Sequence, residues 1–175
     1  MSLSHYEKRS LIRFLLIYLL SIYTFILILA GMFYTIQMKN MQENYALKMR
    51  ATASAISHKI VTAHMMEDDE LEKCCSQKPI EQCFSIDEGY QVALCGAKHK
   101  PLHVTFNDDV DFSQKFYLKD DSFFYVDGSA EHHLGVHDIV IKKAHVSGVI
   151  SAIKQEVVLY LLLSLAFATL LGYEI

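Results

Sequence analysis

The hydrophobic positions of this chain fall into three regimes. From Phe14 to Ile36, and again from Val157 to Tyr173, no side chain is charged. Between these runs, apolar positions recur first every three to four residues and then every second residue. A helix of about 20 residues crosses the roughly 30 Å hydrocarbon core of a bilayer. In lipid the backbone must satisfy its own hydrogen bonds, so both uniform runs predict membrane-crossing helices. The first covers residues 14–36. The second covers 149–175, beginning near Val149 with Lys154 and Glu156 at the outer interface. The first run is longer than the apolar region of a cleaved signal peptide, and Ile28 stands where a small residue would be needed before Ala30. It is therefore expected to stay as an anchor.

The segment from Gln37 to Glu72 contains neither Gly nor Pro. Its stripe of Met38, Met41, Tyr45, Met49, Thr52, Ile56, Ile60 and Ala63 has helical spacing and predicts one long helix continuous with the first span. An irregular stretch with Pro79 and three cysteines follows. The period then changes to two. Tyr90–Cys95 and Leu102–Phe106 read as a hairpin around a Gly96–Pro101 turn. Phe116–Leu118, Phe123–Val126 and Asp138–Lys143 read as further strands, with Asp120-Asp121 and Asp127-Gly128 marking turns. A long helix followed by short antiparallel strands is an α+β pattern.

Charge adds direction. Lys8, Arg9 and Arg13 precede the first span with only Glu7 opposing them, and basic flanks stay on the cytoplasmic side. The expected layout is a cytoplasmic tail over 1–13, a span over 14–36, an outer domain over 37–148 and a second span over 149–175. Both termini lie inside and residues 37–156 outside. The net charge of -4 and the absence of a basic stripe exclude a nucleic-acid partner. The partners implied are the lipid bilayer and, from the stripe on the long helix, a second copy in a homodimer.

This order of parts resembles the sensor region of bacterial two-component sensor histidine kinases. The opening YEKRSLIRFLLIYLLSIYTFILILAGMFY (Tyr6–Tyr34) is similar to the start of a group of these kinases. The hairpin YQVALCGAKHKPL (Tyr90–Leu102) and the stretch KFYLKDDSFFYVDGSAEHHLGVHDIVIKK (Lys115–Lys143) look like strands of their PAS-like or Cache-like sensor domain. The resemblance implies a PAS/Cache-like antiparallel sheet with a long N-terminal helix, flanked by two transmembrane helices in the bacterial inner membrane, with the outer domain periplasmic. It also implies a small-molecule site on the sheet, for which Tyr90, Phe116, Phe124 and Tyr125 are the aromatic candidates. The 175 residues hold no phosphoacceptor box and no glycine-rich nucleotide loop, so they carry no kinase chemistry themselves. The expected function is sensing and transmembrane signalling; the alternative is a twice-anchored binding or assembly module without output.

Cys74, Cys75, Cys83 and Cys95 all fall outside the membrane, where disulfides persist. A bond between adjacent Cys74 and Cys75 is strained, so the expectation is one of them with Cys83 and the other with Cys95. Every histidine except His5 is also outside. His64 with Met65, and His132, His133 and His137, are the candidate ligands if the signal is a soft or borderline metal. Gly135 between His133 and His137 works against the helical turn that would bring those two together. The same histidines suit a proton signal, because imidazole titrates between pH 5 and 8. No particular cofactor is implied.

Overall fold

The computed structural model describes residues 5–65, 80–87, 89–128 and 135–173. It divides into two units, one of Met1–Asn40 with Gly148–Ile175 and one of Met41–Ser147.

In the first unit both segments are helical and expose their apolar side chains. Helix α1, His5–Met65, runs through the first apolar stretch without a break. The C-terminal helix, Ser147–Tyr173, contains the second. Both are long and apolar enough to cross a membrane. Phe14, Leu20, Phe25, Leu163, Phe167 and Leu170 all stand open to the surroundings, which for such residues is the pattern of a lipid-facing surface. Threonine hydroxyls in these stretches bond back to the helix backbone. Thr24 Oγ1 donates to the Leu20 carbonyl at 2.8 Å and Thr169 Oγ1 to that of Ala166 at 2.7 Å. Phe33 meets Tyr160 edge-on, with ring centroids 5.8 Å apart.

The second unit is the α+β domain. Short helix α2, Ile80–Phe84, precedes five strands: β1 Tyr90–Cys95, β2 Pro101–Val104, β3 Phe116–Lys119, β4 Ser122–Asp127 and β5 Asp138–Ala144. The Ser147–Tyr173 helix is α3. The strands form one antiparallel sheet in the order β2-β1-β5-β4-β3. First and last strands therefore pair at the centre, covered on both sides. That is why YQVALC and DIVI read as nearly continuous apolar runs.

The C-terminal part of α1 lies on one face of the sheet. Met41, Met49, Ile56 and Ile60 of the expected stripe are buried, and Ala53 joins them. Tyr45 packs on Phe123 at 5.2 Å between centroids. Each fully buried large apolar side chain stabilises the domain by about 1.5–3 kcal/mol. Lys59 Nζ donates to the Phe84 carbonyl at 3.2 Å and ties α1 to α2, an element the sequence pattern did not announce.

Strand β2 ends earlier than expected. The alternation of the sequence extends it to Phe106, yet the ladder stops at Val104. The Thr105 hydroxyl accepts from the Val92 N–H at 3.2 Å and donates to the Val92 carbonyl at 3.0 Å, so a side chain replaces the next backbone pair. Phe106 is then free to turn into the core. At the other end of the hairpin, a Cβ on Gly96 would crowd the Gly135 carbonyl at 3.1 Å, so a side chain there would need that backbone to shift by a few tenths of an ångström.

Candidate functional site

Strand alternation divides the aromatic candidates between two faces. Register puts Phe116, Tyr125, Ile141 and Val92 in one cross-strand row, and Tyr117, Phe124, Lys142 and Gln91 in the next. The first row shares its face with Tyr90 and Phe123, towards α1. Tyr90, Phe116 and Tyr125 therefore belong to the helix-covered core, and burial pushes the Tyr90 and Tyr125 hydroxyls up from their ordinary pKa. Phe124 alone faces the other side. The four do not line one site, because residues an odd number apart on a strand point opposite ways.

The opposite face is covered by an irregular segment, residues 105–115. Its Phe106, Val110 and Phe112 pack on Ala93, Cys95, Phe124, Val126 and Val140. Phe106 meets Phe124 edge-on at 6.1 Å, and Tyr117 stacks on Phe124 at 5.1 Å. A cation reaches into this apolar layer. Lys142 leaves the central strand β5 with its side chain only 14% exposed and pairs with Asp108 of the covering segment. Its ammonium lies 5.5 Å from the Phe106 ring centroid and 5.9 Å from that of Phe124. The next residue of the segment, Asp109, reaches Lys119 of β3 at 3.5 Å, and its carbonyl accepts from the same ammonium at 2.8 Å.

Asp111 folds the segment back on itself. Its Oδ1 accepts from the Ser113 N–H at 3.0 Å and from the Ser113 hydroxyl, and its Oδ2 from Gln114 Nε2 at 2.7 Å. These bonds hold its carboxyl below the usual range. The Asp111 N–H donates to the Tyr117 hydroxyl at 2.7 Å. At the far end, His99 stacks on Phe112 at 3.9 Å and its Nδ1 lies 2.8 Å from Asp138 Oδ2.

The cysteine expectation is met unevenly. Cys83 is disulfide-bonded. Cys95 is a free, buried thiol, so it does not form the bridge expected of it. It ends β1 opposite Asp138 with its side chain in the apolar layer, and burial followed by the Asp138 charge pushes its pKa up. Cys74 and Cys75 lie outside the described residues, as do His132, His133 and the side chains of His64 and Met65. His137 is half-buried, and its N–H donates to the Cys95 carbonyl at 2.7 Å. No group of three His, Cys, Asp or Glu among the described residues is placed to hold a metal.

Lys142 and Asp108 were not among the sequence candidates. The available signal was the Lys142-Lys143 pair ending an apolar strand, since alternation must send one lysine to each face. Lys143 goes to the helix side, 4.7 Å above the Tyr90 ring.

Fold and composition define a class: an α+β domain carried between two helices that are long and apolar enough to cross a membrane. Comparison with protein-family models, curated proteins and solved structures yields no match to this chain.

Proposed function

We propose that the chain is the sensing and transmembrane-signalling part of a bacterial receptor of the two-component histidine kinase kind. On this reading its sheet is a PAS/Cache-like periplasmic domain and its two apolar helices cross the inner membrane. The observation that carries the reading is the continuity of α1. One helix holds both the uniform apolar stretch and the stripe of Met49, Ala53, Ile56 and Ile60 that packs on the sheet. A rearrangement of the sheet that a ligand stabilises is then shared with the membrane helix through packed side chains rather than a flexible linker. The ligand's differential affinity for two arrangements sets how far the equilibrium moves. Away from the sheet α1 exposes Leu47, which suits pairing with a second copy in a homodimer.

Topology is tested by fusing reporters at Gly128. A reporter active only in the periplasm is expected to work there and a cytosolic one to stay silent; the reverse overturns the reading. Output is tested by joining a kinase core of known activity behind Ile175. Substitutions in the 105–115 segment are expected to shift that activity, and a response identical to wild type across such a set speaks against signalling.

A further inference from the structure

We propose that His99 is a proton-operated clamp: with its ring charged it fastens the Phe112 end of the covering segment to the β1–β2 turn and to β5, and with its ring neutral that end opens more often. The clamp belongs to the domain itself and does not depend on the sensor reading. Three segments distant in sequence meet at this one imidazole. His99 lies in the turn between β1 and β2, its ring stacks on Phe112 with the planes 20° apart, and its Nδ1 meets Asp138 Oδ2 at the start of β5. The turn is shaped to deliver it. The Gly96 N–H donates to the Lys100 carbonyl at 2.7 Å, and inside that loop Lys98 and His99 both take the left-handed conformation, with φ of 58° and 57°. Consecutive non-glycine residues adopt it where surrounding contacts hold them there.

The atoms fix which proton matters. A carboxylate only accepts hydrogen bonds, so Nδ1 carries a hydrogen in both states of the ring, and Nε2 is where a proton comes and goes. Protonation there turns the Nδ1–H···Oδ2 bond into a bond between opposite charges and sets a cation on the Phe112 face, which strengthens both contacts. Neither neighbour of Asp138 across the sheet carries a charge: Cys95 stands opposite on β1, and Gly128 lies against the other carboxylate oxygen, Oδ1. The Asp138 side chain is 13% exposed, whereas that of His99 is 52% exposed and reaches solvent protons. The titratable groups on the packed elements are Lys98 and Lys100 in the turn, Cys95 on β1, His137 beside Asp138, and Asp111 next to Phe112. Burial pushes the Cys95 thiol up and hydrogen bonds hold the Asp111 carboxyl down, so both keep one form near neutrality. Imidazole is the ordinary side chain whose charge changes between pH 5 and 8. The closed clamp thus binds the proton more tightly than the open one, and its hold is full in mild acid and weakens as pH rises.

The test is amide hydrogen exchange on the full chain in lipid nanodiscs between about pH 5 and 8, corrected for intrinsic rates. The Asp111 amide, bonded to the Tyr117 hydroxyl, and the Ser113 amide, bonded to Asp111, report the segment. The Val140 and Ile141 amides report the sheet. Exchange of the segment amides is expected to quicken about two- to fivefold from the acid to the alkaline end, the scale of a half-exposed charge pair, while the sheet amides show no such step. His99→Asn suits the positive φ and does not titrate, so it is expected to lose the step. Asp138→Asn keeps an acceptor for Nδ1 without the charge and is expected to shrink it. His103→Asn and His137→Asn are expected to leave it in place. A wild-type profile without a step, a step undiminished in His99→Asn or Asp138→Asn, a step lost with His103 or His137, or one of equal size in the sheet amides overturns the clamp. No signalling output enters these readouts, so they stand apart from the topology and kinase-fusion tests.

Discussion

Asp121 holds the first residue of α3 by two bonds: one carboxylate oxygen accepts from the Ser147 N–H and the other, at 2.9 Å, from the Ser147 hydroxyl. The Asp121 carbonyl also accepts from the Val146 N–H at 3.2 Å. Asp121 is in position because the β3–β4 hairpin closes over two residues, Asp120 and Asp121, both at positive φ, as the tightest hairpin turns require. A carboxylate at a helix N-terminus satisfies orphan N–H groups and is favoured by the helix dipole.

Removing this carboxylate should loosen the start of α3. Asp121→Ala is expected to cost about 0.5–2 kcal/mol, the range for lost N-terminal caps. Hydrogen exchange of the Ser147–Ile150 amides measures it. Asp121→Asn tolerates the positive φ and keeps an accepting oxygen, so it should lose clearly less. Equal exchange in all three proteins would show that the contact does not hold the helix start.

Phe123 sits between the rings of Tyr45 and Phe116, with centroids at 5.2 and 5.1 Å, and is fully buried. Phe123→Ala is expected to cost about 3–5 kcal/mol, enough to unfold a domain of ordinary stability. Leu47→Ala, on the exposed side of the same helix, should leave the stability of the monomeric domain within about 0.5 kcal/mol. Urea titration of the two variants separates core from surface.

Cys95 should be inert in the folded protein. The thiolate is the reactive form, and burial favours the neutral thiol. A thiol reagent is expected to modify Cys95 only after unfolding. Because the folded thiol has the raised pKa, its contribution to stability is intact below the unfolded value of about 8.5 and falls as pH rises through the folded one. Fast labelling of the native protein at neutral pH would contradict the burial.

Asp111 has the opposite sign. Its carboxyl is held down first by the Ser113 hydroxyl, then by the Ser113 N–H and the Gln114 amide. The stabilisation is fully present above the ordinary carboxylate pKa of about 3.9 and is lost as pH falls through the lower folded value. Amide exchange at Ser113 and Gln114, corrected for intrinsic pH dependence, should accelerate in that acid range. Asp111→Ala should show the faster exchange at every pH.

Much of this architecture is local and was legible in the chain. Runs such as Phe14–Ile36 specify apolar helices, because every turn is uniform. The three-to-four spacing from Met41 to Ile60 marks the face of α1 that packs, and period two marks the strands to within a residue or two at each end. Alternation is a property of neighbours, so it needs no knowledge of the fold. The aromatic candidates failed to converge for the same reason. Period two says that Phe124 and Tyr125 point apart, but not which of them meets the helix.

Tertiary structure alone decided the rest. Lys142 finds Asp108, Asp121 finds Ser147, and the Thr105 hydroxyl ends a ladder that hydrophobicity would have extended to Phe106. These meetings depend on how the strands are ordered and in what register they pair. Cys95 ends as an enclosed thiol rather than a bridge because β1 turns it into the apolar layer. Composition fixes which segments bury themselves. Which charged groups must then meet is settled only when distant segments close over one another and exclude water.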